Sequence, residues 1–261
     1  MRLCNWITFQ TKLNPNAQAE VIINLTIVNC ALFRLSLYEQ LNRVLQPRKD
    51  MTQKYKALVL GASGLVGNAL VNQLCQDDRY SQITCLVRSP LPKAQFHDPL
   101  NKIQPMVIDF DELQDYQGYF SVEHVFCCLG TTIKQAGSQS NFRRVDFQLV
   151  HVAAQLTRAQ RAKSFVWISS VGANAKSKNF YLKVKGELEN AILSMPQLDN
   201  AAAVRPSLLL GHRTQKRTAE SWGIMIVKFL SPIMLGRLAK YRPVTSNQVA
   251  YQMIQLQVFQ K

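Results

Sequence analysis

A short aliphatic run, Ala57 to Leu60, leads directly into three glycines, Gly61, Gly64 and Gly67, and then into a helical pattern through Ala69, Leu70 and Leu74. This order restricts the chain more than any other feature of it. The first glycine permits a tight turn from strand to helix, the second lets backbone amides approach a pyrophosphate, and the third lets the helix pack closely on the strand. The N-terminus of the helix then stabilises phosphate charge. The rival reading is an ordinary glycine-rich turn. A strand before the glycines and a helix after them favour a dinucleotide loop, with Gly61, Ser63, Gly64, Leu65, Val66 and Gly67 as candidate cofactor contacts.

From Lys54 onward, short aliphatic and β-branched runs alternate with helical patterns, the signature of a parallel sheet wrapped by helices. Strands are expected at Ala57 to Leu60, Ile83 to Val87, Pro105 to Ile108, His124 to Leu129, Ser164 to Ser169 and Ala201 to Val204. Phe142, Val145, Leu149, Val152 and Leu156 recur at steps of three and four, which marks one face of an amphipathic helix. The predicted fold class is α/β, a Rossmann-type doubly wound parallel sheet with helices on both faces and a small C-terminal region covering the substrate. With 261 residues, 47% of them hydrophobic and 18% charged, the chain can bury a full core.

Residues 1–50 read differently. The apolar stretch Val21 to Phe33 is interrupted by Asn24, Thr26 and Asn29, too short and too polar to span a bilayer core of about 30 Å. It also lacks the basic start and small-residue cleavage pattern of a secretory signal. Gln46 to Lys54 resembles a linker, and Met51 stands just before the core pattern. Residues 1–50 are therefore read as an extension, either poorly ordered with a start assigned too far upstream or a genuine partner-binding or anchoring helix. Residues 51–261 are read as the nucleotide-binding domain.

Two further signals carry chemistry. The second strand ends in Arg88, where an NAD enzyme usually places a carboxylate for the ribose 2′-hydroxyl; an arginine there can pair with a 2′-phosphate. NADP(H) is expected as cofactor and NAD is disfavoured, against the alternative of an ordinary surface arginine. Asp109 and Phe110, after the third strand, are candidates to flank the adenine. The other signal is Tyr181 with Lys185 four residues on, one face of a helix, preceded at eleven residues by Ser170. A carbonyl reductase needs a proton donor at the oxygen. A tyrosine with a pKa near ~10 becomes competent near neutrality when an ammonium stabilises its phenolate. Lys185 supplies that charge and Ser170 a hydrogen bond to the same oxygen, with Ser169 as the fallback because strand alternation turns only one of the two toward the site. Tyrosine and lysine at this spacing are common, but of the eight tyrosines here only Tyr181 has a lysine four residues later.

Taken in order, these motifs resemble the short-chain dehydrogenase/reductase superfamily, in its atypical branch typified by the Tat-interacting-protein oxidoreductase and its bacterial relatives. The resemblance rests on Cys127-Cys-Leu-Gly-Thr-Thr132, Ala136-Gly137, Phe142-Arg-Arg-Val-Asp146, Ser169-Ser-Val-Gly-Ala173, Asn179-Phe-Tyr-Leu-Lys-Val-Lys-Gly-Glu187 and Arg205-Pro206. It implies Ser170, Tyr181 and Lys185 as the catalytic group. It also implies Leu129, Gly130 and Thr131 lining the cofactor after the fourth strand, and Arg205 and Pro206 near the nicotinamide. Asp146 departs from the asparagine that many classical members place there, and residues 1–50 match nothing in the pattern.

The implied activity is NADP(H)-dependent oxidoreduction of a small carbonyl or alcohol substrate; the alternative is a non-catalytic NADP(H)-binding protein that reports redox state to a protein partner. Six cysteines without CxxC spacing and four scattered histidines give no metal site, and the cysteines look like reduced thiols of a cytoplasmic protein. The net charge of +15 is spread along the chain without a basic block, so no nucleic-acid partner is expected. Trp222 to Leu235 is apolar but holds Lys228 and Pro232. It reads as a lid, core or dimer-forming helix rather than a stable membrane insertion. Ile133 to Ser140 and the C-terminal eighty residues are expected to shape the substrate pocket, and neither identifies the substrate.

Overall fold

A computed structural model describes residues 54–92, 95–198, 200–207, 209–210 and 243–259. The expectations for residues 1–50 and for Trp222 to Leu235 fall outside the described residues.

Six parallel strands form the main sheet: β1 (Tyr55–Leu60), β2 (Tyr80–Val87), β3 (Ile103–Val107), β4 (His124–Cys127), β5 (Ser164–Ile168) and β6 (Ala201–Val204), in the spatial order β3-β2-β1-β4-β5-β6. A two-stranded parallel pair, β7 (Leu209–Leu210) and β8 (Val244–Thr245), lies apart from it. Both faces of the main sheet are covered, so Ala57–Leu60 of β1 and Val125–Cys127 of β4 form continuous apolar runs rather than alternating. Alternation then sorts residues between two cores. Ala57 and Val59 of β1 face a cluster with α1 (Leu65–Gln76) and the C-terminal helix Ser246–Gln255, while Leu58 and Leu60 face the opposite cluster. That second cluster holds the 3-10 segment Leu113–Phe120, a helix at Leu149–Ala159 and another at Phe180–Leu193. The doubly wound α/β architecture is thus as expected.

The remaining helices are numbered in chain order: α2 (Ile133–Ala136), α3 (Gln139–Arg143), α4 (Leu149–Ala159), α5 (Phe180–Leu193) and α6 (Ser246–Gln255). Thr245 opens α6 with a capping box, its hydroxyl accepting from Gln248 N while Gln248 Oε1 accepts from Thr245 N.

Strand ends differ from the sequence expectation by a few residues. β2 begins at Tyr80 because Tyr55 pairs with it ahead of a register irregularity between Tyr55 and Lys56. β3 is an edge strand running Ile103–Val107, and Ile108 leaves it although its N–H still reaches Val87 O at 2.9 Å. Leu129 and Ser169 lie just beyond the ends of β4 and β5.

A larger difference lies in the helix expected through Phe142 to Leu156. It is interrupted by a π turn, Arg144–Gln148, in which the Leu149 N–H reaches back to Arg144 O. Phe142 and Leu156 of the expected stripe are buried, but between them the buried positions are Asp146, Val150, Ala153 and Ala154 rather than Val145, Leu149 and Val152. Val145 and Leu149 are apolar for another reason: they line the cleft described below.

At the sheet's opposite end, His124 is buried between two hydrogen bonds, Nδ1 to the Tyr80 hydroxyl at 2.8 Å and Nε2 to Val258 O at 2.9 Å. A carbonyl can only accept, so Nε2 carries the proton and Nδ1 accepts from Tyr80. Phe259 packs edge-on against His124 and lies under the Arg79 guanidinium, 3.9 Å from its carbon. Burial pushes the His124 pKa down from 6.5 to about 4. The unfolded chain therefore takes up this proton first as pH falls, and the stability His124 contributes, full above pH 6.5, is lost between about 6.5 and 4. The loss is on the order of 3 kcal/mol at most. Urea melts at pH 7.5 and 4.5 should show a smaller acid destabilisation in His124→Gln than in the unaltered chain.

Candidate functional site

The strand order reverses between β1 and β4, and a ligand crevice is expected beyond the carboxyl ends of strands at such a point. A cleft of about 1260 Å³ opens there. Its wall begins with the glycine loop. Gly61 has φ +85°, and a β-carbon on it would stand 2.8 Å from Cys128 O, so the neighbouring strand end excludes any side chain. At Gly67 a β-carbon would stand 2.1 Å from Gly61 O, which is the close helix-on-loop contact the third glycine permits. The first turn of α1 has neither a side-chain cap nor an acidic residue, so its amides are left for an anion. These features fit a dinucleotide pyrophosphate.

Gly61, Ser63, Gly64 and Leu65 line the cleft, together with Arg88, Phe110, Leu129, Gly130 and Thr131. Val66 and Gly67 are turned into the core. Asp109 lies on an adjoining cavity of about 530 Å³ that shares Arg88, Phe110, Arg144, Val145 and Leu149 with the main cleft. Asn68, Asn72, Arg144, Val145, Leu149 and Ser246 also line the cleft and were not singled out from sequence. Val145 and Leu149 had a signal, the apolar stripe, but periodicity alone does not say what covers a stripe. Ser246 comes from the far end of the chain and had none.

The second part of the site is built around Asp146. Its carboxylate, 1% exposed, accepts from Thr131 N at 2.8 Å and pairs with Lys185 Nζ at 2.8 Å. Lys185, 2% exposed on α5, also donates to Ile168 O at 3.2 Å, at the last residue of β5. One buried pair therefore ties the loop after β4, the π turn, α5 and the end of β5 together. Burial raises the Asp146 carboxyl above its ordinary pKa, against the opposing pull of Lys185 and of the Thr131 N–H. Tyr181, one turn before Lys185, is half-buried with its ring centroid 5.5 Å from that of Phe142.

Of the two candidate serines, Ser169 is 2% exposed and its hydroxyl has no hydrogen-bond partner among the described residues. Ser170 is half-buried, its hydroxyl 3.4 Å from Val171 O. Ser170 follows β5, Tyr181 and Lys185 lie on α5 with Lys185 reaching the end of β5 through Ile168 O, and none of the three is in the described lining of the cleft. Arg205 and Pro206 are also outside that lining. Arg205 instead pairs with the buried Glu189 of α5, its Nε 2.9 Å from Glu189 Oε1, and Pro206 O accepts from Val171 N at 3.0 Å. Among the described residues no group of three or more metal-ligating side chains comes together, and no helix is long and apolar enough to cross a membrane.

A family model described as NAD(P)H-binding matches residues 61–209, more than half of the chain. Protein HTATIP2 of Rattus norvegicus is 35% identical over 179 residues, 68% of this chain and 72% of that protein. The chain belongs to this NAD(P)H-binding family, as an atypical short-chain dehydrogenase/reductase of the Tat-interacting-protein-like branch. Another relative of this family, Protein FMP52-1, mitochondrial, of Scheffersomyces stipitis, is 32% identical over 202 residues, 74% of this chain and 84% of that protein. Among solved structures, ADP-L-glycero-D-manno-heptose-6-epimerase of Helicobacter pylori superposes with a TM-score of 0.58 at 15% identity, covering 80% of this chain and 74% of that one. At that identity the likeness speaks for the Rossmann fold alone. The family assignment makes the chain an NAD(P)H-binding, oxidoreductase-like protein.

Removing the Asp146 carboxylate strands a buried ammonium, which costs about 3–5 kcal/mol when a buried pair loses one member. Asp146→Ala should therefore fall in stability by an amount of that order in urea denaturation, while Asp111→Ala, at an exposed ion pair, should change by less than about 1 kcal/mol.

Proposed function

We propose that residues 51–261 form an NADP(H)-dependent oxidoreductase domain acting on a small carbonyl or alcohol substrate, with Tyr181 as the proton donor or acceptor. The observation that carries this reading is the buried Lys185 ammonium, paired with Asp146 and placed one helical turn from Tyr181 at the end of β5. Desolvation disfavours a charged lysine, and a carboxylate at 2.8 Å opposes that. Lys185 and Tyr181 share one face of α5 at a spacing of four residues, the arrangement proposed to serve proton transfer at the substrate oxygen.

Bound NADPH would supply the hydride. The chain's own residues bind and orient. The α1 N-terminus and the glycine loop hold the pyrophosphate, Arg88 pairs with the 2′-phosphate, and Asp109 and Phe110 flank the adenine. Leu129, Gly130 and Thr131 line the path toward the nicotinamide, with Arg205 and Pro206 following β6 on that side. Ser170 hydrogen-bonds the substrate oxygen that Tyr181 protonates in reduction or deprotonates in oxidation. The choice of NADP(H) over NAD(H) is supported by Arg88, which lines the cleft and makes no ion pair among the described residues. Four described cysteines are free thiols, which suits a reducing compartment; we place the protein in the cytoplasm, although the fungal relatives are named mitochondrial.

Tyr181→Phe should lose NADPH-dependent turnover by 10²-fold or more, the scale of a positioned acid–base group, with NADPH affinity unchanged. The assay is NADPH oxidation against a panel of small aldehydes, ketones and quinones. Unchanged turnover in the variant rules out the role of Tyr181. Tight binding of NADPH with no turnover on any member of the panel favours a cofactor-binding protein that acts through a protein partner.

A further inference from the structure

The adjoining cavity at the end of β3 has an apolar floor of Ile108, Phe110, Val145 and Leu149, suited to a planar base. Four charged side chains also line it, Arg88, Asp109, Asp111 and Arg144. The carboxylates are engaged within their own loop and with Arg144: Asp109 Oδ1 accepts from Asp111 N at 2.9 Å, and Asp111 Oδ1 pairs with Arg144. Arg88 has no such partner among the described residues.

Both members of the Asp111–Arg144 pair are about half exposed, with side chains 55% and 46% accessible. Water screens such a contact, and exposed pairs of this kind contribute little. A phosphate dianion offers a guanidinium more charge and three acceptor oxygens, and arginine engages it in a planar fork. Arg144 is therefore held over the cavity by a partner that a phosphate can displace. Its position comes from the π turn, of which it is the first residue; the same turn sends Asp146 inward to Lys185 and leaves Arg144, Val145 and Leu149 facing the cleft.

We infer that Arg144, which lines the same cavity as Arg88, is a second determinant of specificity for the 2′-phosphate, and that Asp111 holds it in place until the phosphate takes it over. This rests on the NADP(H) reading above. In the bound state Arg88 and Arg144 share the phosphate charge, and the Asp111 carboxylate returns to water.

The test is equilibrium binding of NADPH, NADH and 2′,5′-ADP to the full 261-residue chain, with Arg144→Gln and Asp111→Asn beside the unaltered protein. Arg144→Gln should weaken NADPH and 2′,5′-ADP about tenfold or more, the loss of one charge-assisted contact, and leave NADH within about twofold, which also shows that the variant is folded. Asp111→Asn should tighten NADPH a few-fold without changing NADH, because the competing carboxylate charge is gone. Equal weakening of NADPH and NADH by Arg144→Gln, or no weakening of either, overturns the assignment. An unaltered chain that binds NADH as tightly as NADPH overturns the NADP(H) reading itself, and that result is read before any variant is made.

Discussion

The site depends on one buried contact, the pair between Asp146 and Lys185. Each group alone would be costly at 1% and 2% exposure. Together they satisfy each other, and their remaining capacity goes to the Thr131 amide and the Ile168 carbonyl. Four separate segments are fixed by these contacts, and two of them carry the proposed chemistry: α5 with Tyr181 and the loop after β4 that lines the cofactor cleft. A buried charge pair is weak evidence for stability. Its value here lies in register, because shifting α5 by one residue would turn Lys185 away from both acceptors.

The two halves of the cleft are made by different physics. Around the glycine loop the backbone is the binding surface, so what matters is the absence of side chains at Gly61 and Gly67 and the uncapped start of α1. Around the π turn the side chains do the work, with apolar Val145 and Leu149 beside cationic Arg144. The first kind of requirement is local in sequence and the second is not.

That difference explains what was legible. A strand followed by spaced glycines has few other uses, so the Rossmann architecture and the position of the cleft could be read from residues 57–67 and the alternation that follows. Arg88 was legible because a strand-end position has a defined place beside the ribose. Val145 and Leu149 were read as one face of an amphipathic helix, and such a stripe shows a face and not its covering. Asp146 was noticed as a departure from asparagine, but its pairing with Lys185 depends on how two helices meet. The family resemblance implied Arg205 near the nicotinamide, and only the packing of α5 revealed its pairing with Glu189.

The π turn has a consequence for how this region tolerates change. An ordinary α-helix repeats every 3.6 residues, and a π turn carries one residue more than that repeat requires. The segment through Arg144–Gln148 is therefore a helix with a spare residue, and the spare is what allows neighbouring side chains to serve two surfaces at once. A deletion of a single residue here would leave a regular helix of better backbone geometry. The inward faces of α3 and α4 would stay where they are, because the bulge already absorbs the extra residue, and what the deletion would remove is the widened turn from which Arg144 and Val145 reach the cleft, so that the more ideal helix would be the one that no longer carries a binding site.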